Sequence, residues 1–185
     1  MTVMTDWQIV EEVKRTGLID PFVDHQVREV NGIRVISYGL SSAGYDIRVA
    51  DEWKRPLGQA LSPKNPQENQ WQAFTDSNPI LLSPGHFILG RSVEQFNVPR
   101  TIMGTVTSKS TYCRVGVFPN ISPLESGWNG FLTIEIANIG HCPVFIYPNE
   151  GIAQVVFQRI KEVSVSYADR SGKYQGTTGV VLGRV

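Results

Sequence analysis

Metal-binding side chains are scarce in this chain of 185 residues, which holds two cysteines and three histidines. Cys113, Cys142, His25, His86 and His141 fall into no CxxC, HxE or HExxH spacing. That argues against a zinc finger or a zinc hydrolase built on the usual signatures, and points to chemistry without a transition metal. Charge of one sign is missing as well: 17 Lys+Arg stand against 17 Asp+Glu, for a formal charge of zero. A protein that grips a nucleic-acid polymer by neutralising phosphates carries a basic excess, so that class is disfavoured. No apolar run reaches transmembrane length, and the opening MTVMTDWQIVEEVKRTG has no signal-peptide core, so no membrane partner is expected. Without a secretory signal, the cysteines read as free thiols in a reducing, cytoplasmic setting. The Asn120-Ile121-Ser122 sequon then reads as a turn and not as a glycosylation site.

What is present describes an ordinary globule, with 41% hydrophobic and 18% charged residues. One domain over residues 1–185 is the expectation at this length. Residues 5–16 predict one amphipathic helix, capped by Thr5 with Gln8 three residues on and stopped by Gly17. Asn31-Gly32 predicts a hairpin turn between VREV and IRVISY. The polar segment 55–79 reads as a long excursion from the core. Short strands are expected at 80–82, 86–91, 101–107, 115–118, 130–138, 143–147 and 151–160, separated by glycine and proline. That pattern indicates a mainly β fold, a sandwich or barrel. From Ser166 the chain turns polar and glycine-rich, and reads as a mobile C-terminal arm.

Several residues could carry chemistry. In a strand over 130–138, Phe131, Thr133, Glu135 and Ala137 share one face and Leu132, Ile134 and Ile136 the other. Glu135 is then either a solvated glutamate on a half-buried sheet or a pocket carboxylate tuned for proton transfer. Ser108 to Arg114 follows a strand and superficially resembles a phosphate-binding P-loop. The match fails, because Met103 and Ser108 stand where glycines are required. If the segment turns helically, Ser110 and Arg114 share a face, and its first amides could meet an anion. A capped surface helix fits equally well. Asn120 to Gly130 forms a turn-rich loop holding Glu125 and Trp128, and Gln154 sits among apolar neighbours where burial demands a hydrogen-bond partner.

Taken together, these segments resemble the dUTPase/dCTP deaminase superfamily, whose members share five short motifs in fixed order. They are Ala43-Gly44-Tyr45-Asp46-Ile47, Ser108-Lys109-Ser110-Thr111, the 120–130 loop, Gly151-Ile152-Ala153-Gln154 and the tail Lys173-Tyr174-Gln175-Gly176. Lys109 to Tyr112 with Arg114, Thr133-Ile134-Glu135, and Tyr167 with the tail motif resemble the dCTP deaminase branch in particular. The resemblance implies a distorted β-barrel or jelly-roll of the dUTPase-like type with a short N-terminal helix. It also implies a homotrimer with active sites at subunit interfaces, and zinc-free hydrolysis of dCTP to dUTP and ammonia. Under it, Glu135, Ser110 and Arg114 are the catalytic residues. Lys109, Thr111, Tyr112, Cys113, Glu125, Thr133, Ile134, Gln154, Tyr167, Lys173 and Thr177 join them in contacting the nucleotide. Mg²⁺ is implied on the substrate triphosphate and not in a protein cage.

Thr177 departs from the family pattern, whose tail usually reads Tyr-Gln-Gly-Gln and uses the last glutamine to contact nucleotide. The following Thr178-Gly179 echoes the small-residue arm of dUTPases. A bifunctional deaminase/dUTP pyrophosphatase giving dUMP, or a pure dUTPase, therefore stands as the alternative, with Glu125 where a dUTPase carries its water-activating aspartate. A non-catalytic nucleotide-binding trimer is the third reading.

Overall fold

The computed structural model describes residues 1–184. A two-residue strand β1 (Thr2–Val3) precedes helix α1 (Asp6–Thr16), followed by β2 (Ile19–Asp20), β3 (Gln26–Val30), β4 (Ile33–Ser41) and the long β5 (Gly44–Pro56). After a 3-10 turn at Glu68–Gln70 come β6 (Trp71–Thr75), β7 (Ile80–Leu82), β8 (Phe87–Asn97) and β9 (Ile102–Ser108). The one-turn helix α2 (Ser110–Cys113) leads into β10 (Val117–Asn120), β11 (Asn129–Asn138), β12 (Val144–Ile146) and β13 (Gly151–Arg159). The fold is mainly β with a short N-terminal helix, as the strand pattern predicted.

Local chemistry explains the elements. Gln8 Oε1 accepts the Thr5 N–H at 3.0 Å, which satisfies a donor that no helical carbonyl can reach, and Gly17 closes the other end. Asn31 and Gly32 adopt φ of 51° and 78°, the left-handed pair that joins antiparallel strands through a two-residue turn. Eleven of the described strands form one sheet along the path β1-β13-β5-β8-β11-β10, with β4 and β6 beside β5, β3 beside β4, β9 beside β13 and β2 beside β8. Strand β5 curls this sheet on itself. Its first half pairs with β4 and β13, its second with β6 and β8, and the register shifts between Val49 and Trp53. The enclosed face buries Tyr45, Ile47, Trp53, Phe96, Ile134 and Phe157 in one continuous apolar core.

The polar stretch 55–79 is less of an excursion than its composition predicts. Trp71–Thr75 pairs antiparallel with Glu52–Pro56, so polar side chains stand on a hairpin whose backbone is satisfied by the sheet. Residues 57–67 form the loop that joins its arms. The tail from Ser166 lies docked on the outer face of β11: Thr177 forms a parallel bridge with Gly130, and Thr177 O accepts the Phe131 N–H at 3.0 Å.

Candidate functional site

Strand β11 sets the outer face on which the expected site residues stand. Leu132, Ile134 and Ile136 point into the core, while Phe131, Thr133, Glu135 and Ala137 alternate to the half-buried outer side. Ile134 has no exposed surface in this chain and packs into the core. Glu135 lies opposite Asn120 in the β10–β11 register, and Asn120 Nδ2 donates to Glu135 Oε2 at 3.3 Å. The carboxylate borders a shallow groove of about 430 Å³ shared with His86, Phe87 and His141.

A larger cavity of about 550 Å³ opens beside it, between the 121–133 segment and the docked tail. Glu125, Trp128, Phe131 and Thr133 wall one side; Tyr167, Lys173, Tyr174, Thr177 and Leu182 wall the other. The tail is pinned here by single hydrogen bonds. Trp128 Nε1 donates to Tyr174 O at 3.0 Å, Thr177 Oγ1 to Phe131 O at 2.9 Å, and Val181 N to Thr133 Oγ1 at 3.1 Å. Close approach to the strand requires Gly130, whose φ is 144° and where a Cβ would stand 2.6 Å from Thr177 Oγ1. The Tyr167 ring packs on Gly172, and its hydroxyl accepts the Tyr174 N–H at 3.0 Å. Arg170 of the tail pairs with Glu125, and Lys173 Nζ donates to the Arg184 carbonyl.

A third group forms around α2. Ser110, Thr111, Cys113 and Arg114 are exposed, and Arg114 Nη1 turns back to donate to Ser110 O at 2.7 Å. Tyr112 is buried between them. Its hydroxyl accepts the Tyr147 N–H at 3.0 Å, and burial pushes the phenol well above the ordinary tyrosine range. Lys109 is buried as well, with Nζ 2.6 Å from Asp46 Oδ2, while Gln154 Nε2 donates to Asp46 Oδ1 at 3.1 Å.

The expected residues therefore gather in three places on one chain. Glu125, Thr133, Tyr167, Lys173 and Thr177 meet at the cavity; Lys109 and Gln154 meet at Asp46; Glu135 stands on the neighbouring groove. Among the described residues, no hydrogen bond or ion pair joins Glu135 to Ser110 or Arg114. Sequence reasoning left Phe131 and Tyr174 out of the site. The alternation that put Phe131 on the face of Thr133 and Glu135 was the available signal. Nothing in the sequence announced Arg170 as the partner of Glu125. Among the described residues, no group of three or more His, Cys, Asp and Glu could hold a metal ion, and no helix is long and apolar enough to cross a membrane.

A family model described as dCTP deaminase-like matches residues 3–160. The chain belongs to that family. It is 44% identical over 188 residues to the dCTP deaminase of Herpetosiphon aurantiacus, covering 100% of both chains. It is 44% identical over 190 residues to that of Ectopseudomonas mendocina, again covering 100% of both. The crystal structure of 2'-deoxycytidine 5'-triphosphate deaminase from Agrobacterium tumefaciens superposes with a TM-score of 0.66 at 15% identity, covering 85% of this chain and 48% of that one. At that identity the structural likeness speaks for the fold, and the full-length relatives speak for the family.

Proposed function

We propose that this protein hydrolyses dCTP to dUTP and ammonia. The observation that carries this proposal is 44% identity along the whole chain to proteins named dCTP deaminase, with the glutamate, serine and arginine of that branch all present. The substrate is dCTP carrying Mg²⁺ on its triphosphate, where phosphate oxygens and water fill the coordination shell. The expected setting is the cytoplasm, where nucleoside triphosphates are held.

Glu135 is the general base. It takes a proton from the water that attacks C4, and returns protons to N3 and to the departing amine as the tetrahedral intermediate collapses. Water adds, ammonia leaves, and the carboxylate ends as it began. Ser110 and Arg114 supply donors to the reacting water and the developing charge; one such donor is typically worth roughly 2.7–4 kcal/mol. Glu125, Thr133, Tyr167 and Lys173 form the nucleotide cradle at the cavity. Thr111 and Cys113, exposed on α2, face nucleotide from a second chain. Ile134, Tyr112 and Thr177 serve by packing: two are core side chains and the third ties the tail to β11.

Because no hydrogen bond or ion pair joins Glu135 to Ser110 or Arg114 within the described chain, we propose that each site is completed by a neighbouring copy in a homotrimer. A closed ring gives every copy the same two half-sites. Residues Phe118 and Ile139, 47% and 71% exposed beside the β10–β11 edge, favour a covered surface there.

The test is product analysis with dCTP and Mg²⁺, measuring ammonia and pyrophosphate separately. Ammonia from dCTP with retention of the triphosphate is the expected result. Ammonia together with pyrophosphate marks the bifunctional alternative, in which Glu125 also activates water. Pyrophosphate from dUTP with no ammonia from dCTP overturns the assignment. Glu135→Gln should remove turnover while leaving dCTP binding measurable.

A further inference from the structure

Asp46 lies outside every functional role assigned so far, yet it is the centre of the most buried polar cluster near α2. It is 5% exposed, and its side chain sits between β4, β13 and the start of α2. Oδ2 accepts from Lys109 Nζ at 2.6 Å, with both side chains under one-tenth exposed. Oδ1 accepts from Gln154 Nε2 at 3.1 Å; the same nitrogen reaches Ser41 Oγ at 3.2 Å, and Ser41 Oγ donates to Gly44 O at 3.1 Å. Every oxygen of the carboxylate is thus engaged by groups from the sheet or from Lys109.

Helix α2 needs such an anchor. It has four residues and no side-chain hydrogen bond at its N-cap, which is Lys109 itself. A single turn fixes several backbone angles for one or two hydrogen bonds and does not hold its place unaided. Two pegs hold it here: the Lys109–Asp46 pair on one side and the buried Tyr112, bonded to the Tyr147 N–H, on the other. Ser110 and Arg114 are exposed between them.

We propose that Asp46 is a positioning residue for deamination, acting through Lys109 to set where Ser110 and Arg114 stand. This rests on the deaminase assignment and deepens it. It also adds a placement role to Lys109, whose ammonium points into its own chain and pairs with Asp46. Misplacing a reacting donor by about 1 Å can cost on the order of 100-fold in rate.

The experiment compares Asp46→Asn, Lys109→Met and the double variant, with kcat and KM for Mg²⁺-bound dCTP measured for each. Asp46→Asn leaves the Lys109 ammonium buried without a counter-charge, so it moves toward water and carries the start of α2 with it. The expected result is a kcat lowered by roughly 100-fold in each single variant with KM changed by less than about threefold, because transition-state placement is lost and binding is kept. The double variant should be no worse than Lys109→Met alone, since Asp46 acts through Lys109. Near-normal kcat in Asp46→Asn overturns the proposal, as do multiplicative losses in the double variant. A KM raised about tenfold in Lys109→Met with kcat retained overturns it too, by making Lys109 a direct phosphate ligand. Should Asp46→Asn fail to fold, the double variant has no orphaned charge, and its comparison with Lys109→Met decides. Wild-type protein that releases no ammonia from dCTP overturns the deaminase assignment itself, and this role with it, before any variant is read.

Discussion

The curled sheet and the docked tail are held by different physics. In the sheet, side chains alternate, whole faces are buried together, and charged groups inside are paired. Glu94 has no exposed surface and takes the Arg48 backbone N–H at 3.0 Å and Arg48 Nε at 2.8 Å. In the tail, Ser166, Thr177 and Leu182 are buried, while most of the rest is exposed or half-buried. The tail holds its path through one short parallel bridge at Thr177, scattered hydrogen bonds and a few positions where glycine lets chain approach chain. A cooperative core resists change everywhere at once, whereas a tail on separate pegs can let go of the cavity without unfolding the body.

That contrast can be broken most severely from the sheet. Glu94→Ala strands the Arg48 guanidinium and should cost about 3–5 kcal/mol of global stability. At roughly 2–4 °C per kcal/mol for a chain of this size, Tm should fall by about 6–20 °C in a thermal melt. Gly172→Ala strikes the tail. A Cβ there would stand 2.1 Å from the Tyr167 ring, so the ring must leave and Tyr174 loses its hydrogen bond. The expected outcome is limited proteolysis cutting within 166–184 and at least about tenfold lower kcat/KM, with Tm within about 2 °C of wild type because the core is untouched. Trp128→Phe keeps the aromatic wall and removes the donor to Tyr174 O. At about 0.5–1.5 kcal/mol for one hydrogen bond, kcat/KM should fall by roughly 2- to 10-fold. Thr177→Val deletes only the hydroxyl bonded to Phe131 O, and the smallest change, about 1 kcal/mol or less, is expected in tail protection by hydrogen exchange.

The same contrast explains what could be read in advance. Helix α1, the Asn31-Gly32 turn and strand β7 fall where periodicity and turn chemistry put them. Burial along β11 alternates residue by residue, as its sequence does. Strand β6 was invisible because Trp71 and Phe74 fall on opposite faces of a five-residue segment set among polar residues, with no apolar alternation, and only pairing with Glu52–Pro56 makes it a strand. In the site, Glu125, Thr133, Tyr167 and Lys173, which the motifs put among the nucleotide-contacting residues, line one cavity. They could not reveal that Lys109 is spent on Asp46, 63 residues away, or that Arg170 would cover Glu125, 45 residues away. Such pairings are made by the fold and leave no local trace.

The claim on which the account turns is that one catalytic site draws Glu135 from one chain and Ser110 with Arg114 from another. Co-expressing Glu135→Gln and Arg114→Ala chains under different tags, and purifying the mixed assemblies, measures it directly. The account predicts that each variant alone is inactive and that the mixture regains about a quarter of wild-type deamination, the share of sites that random assortment around a closed ring leaves intact. Mixed assemblies as silent as the separate variants would contradict it, and would locate all three residues in a site within a single chain.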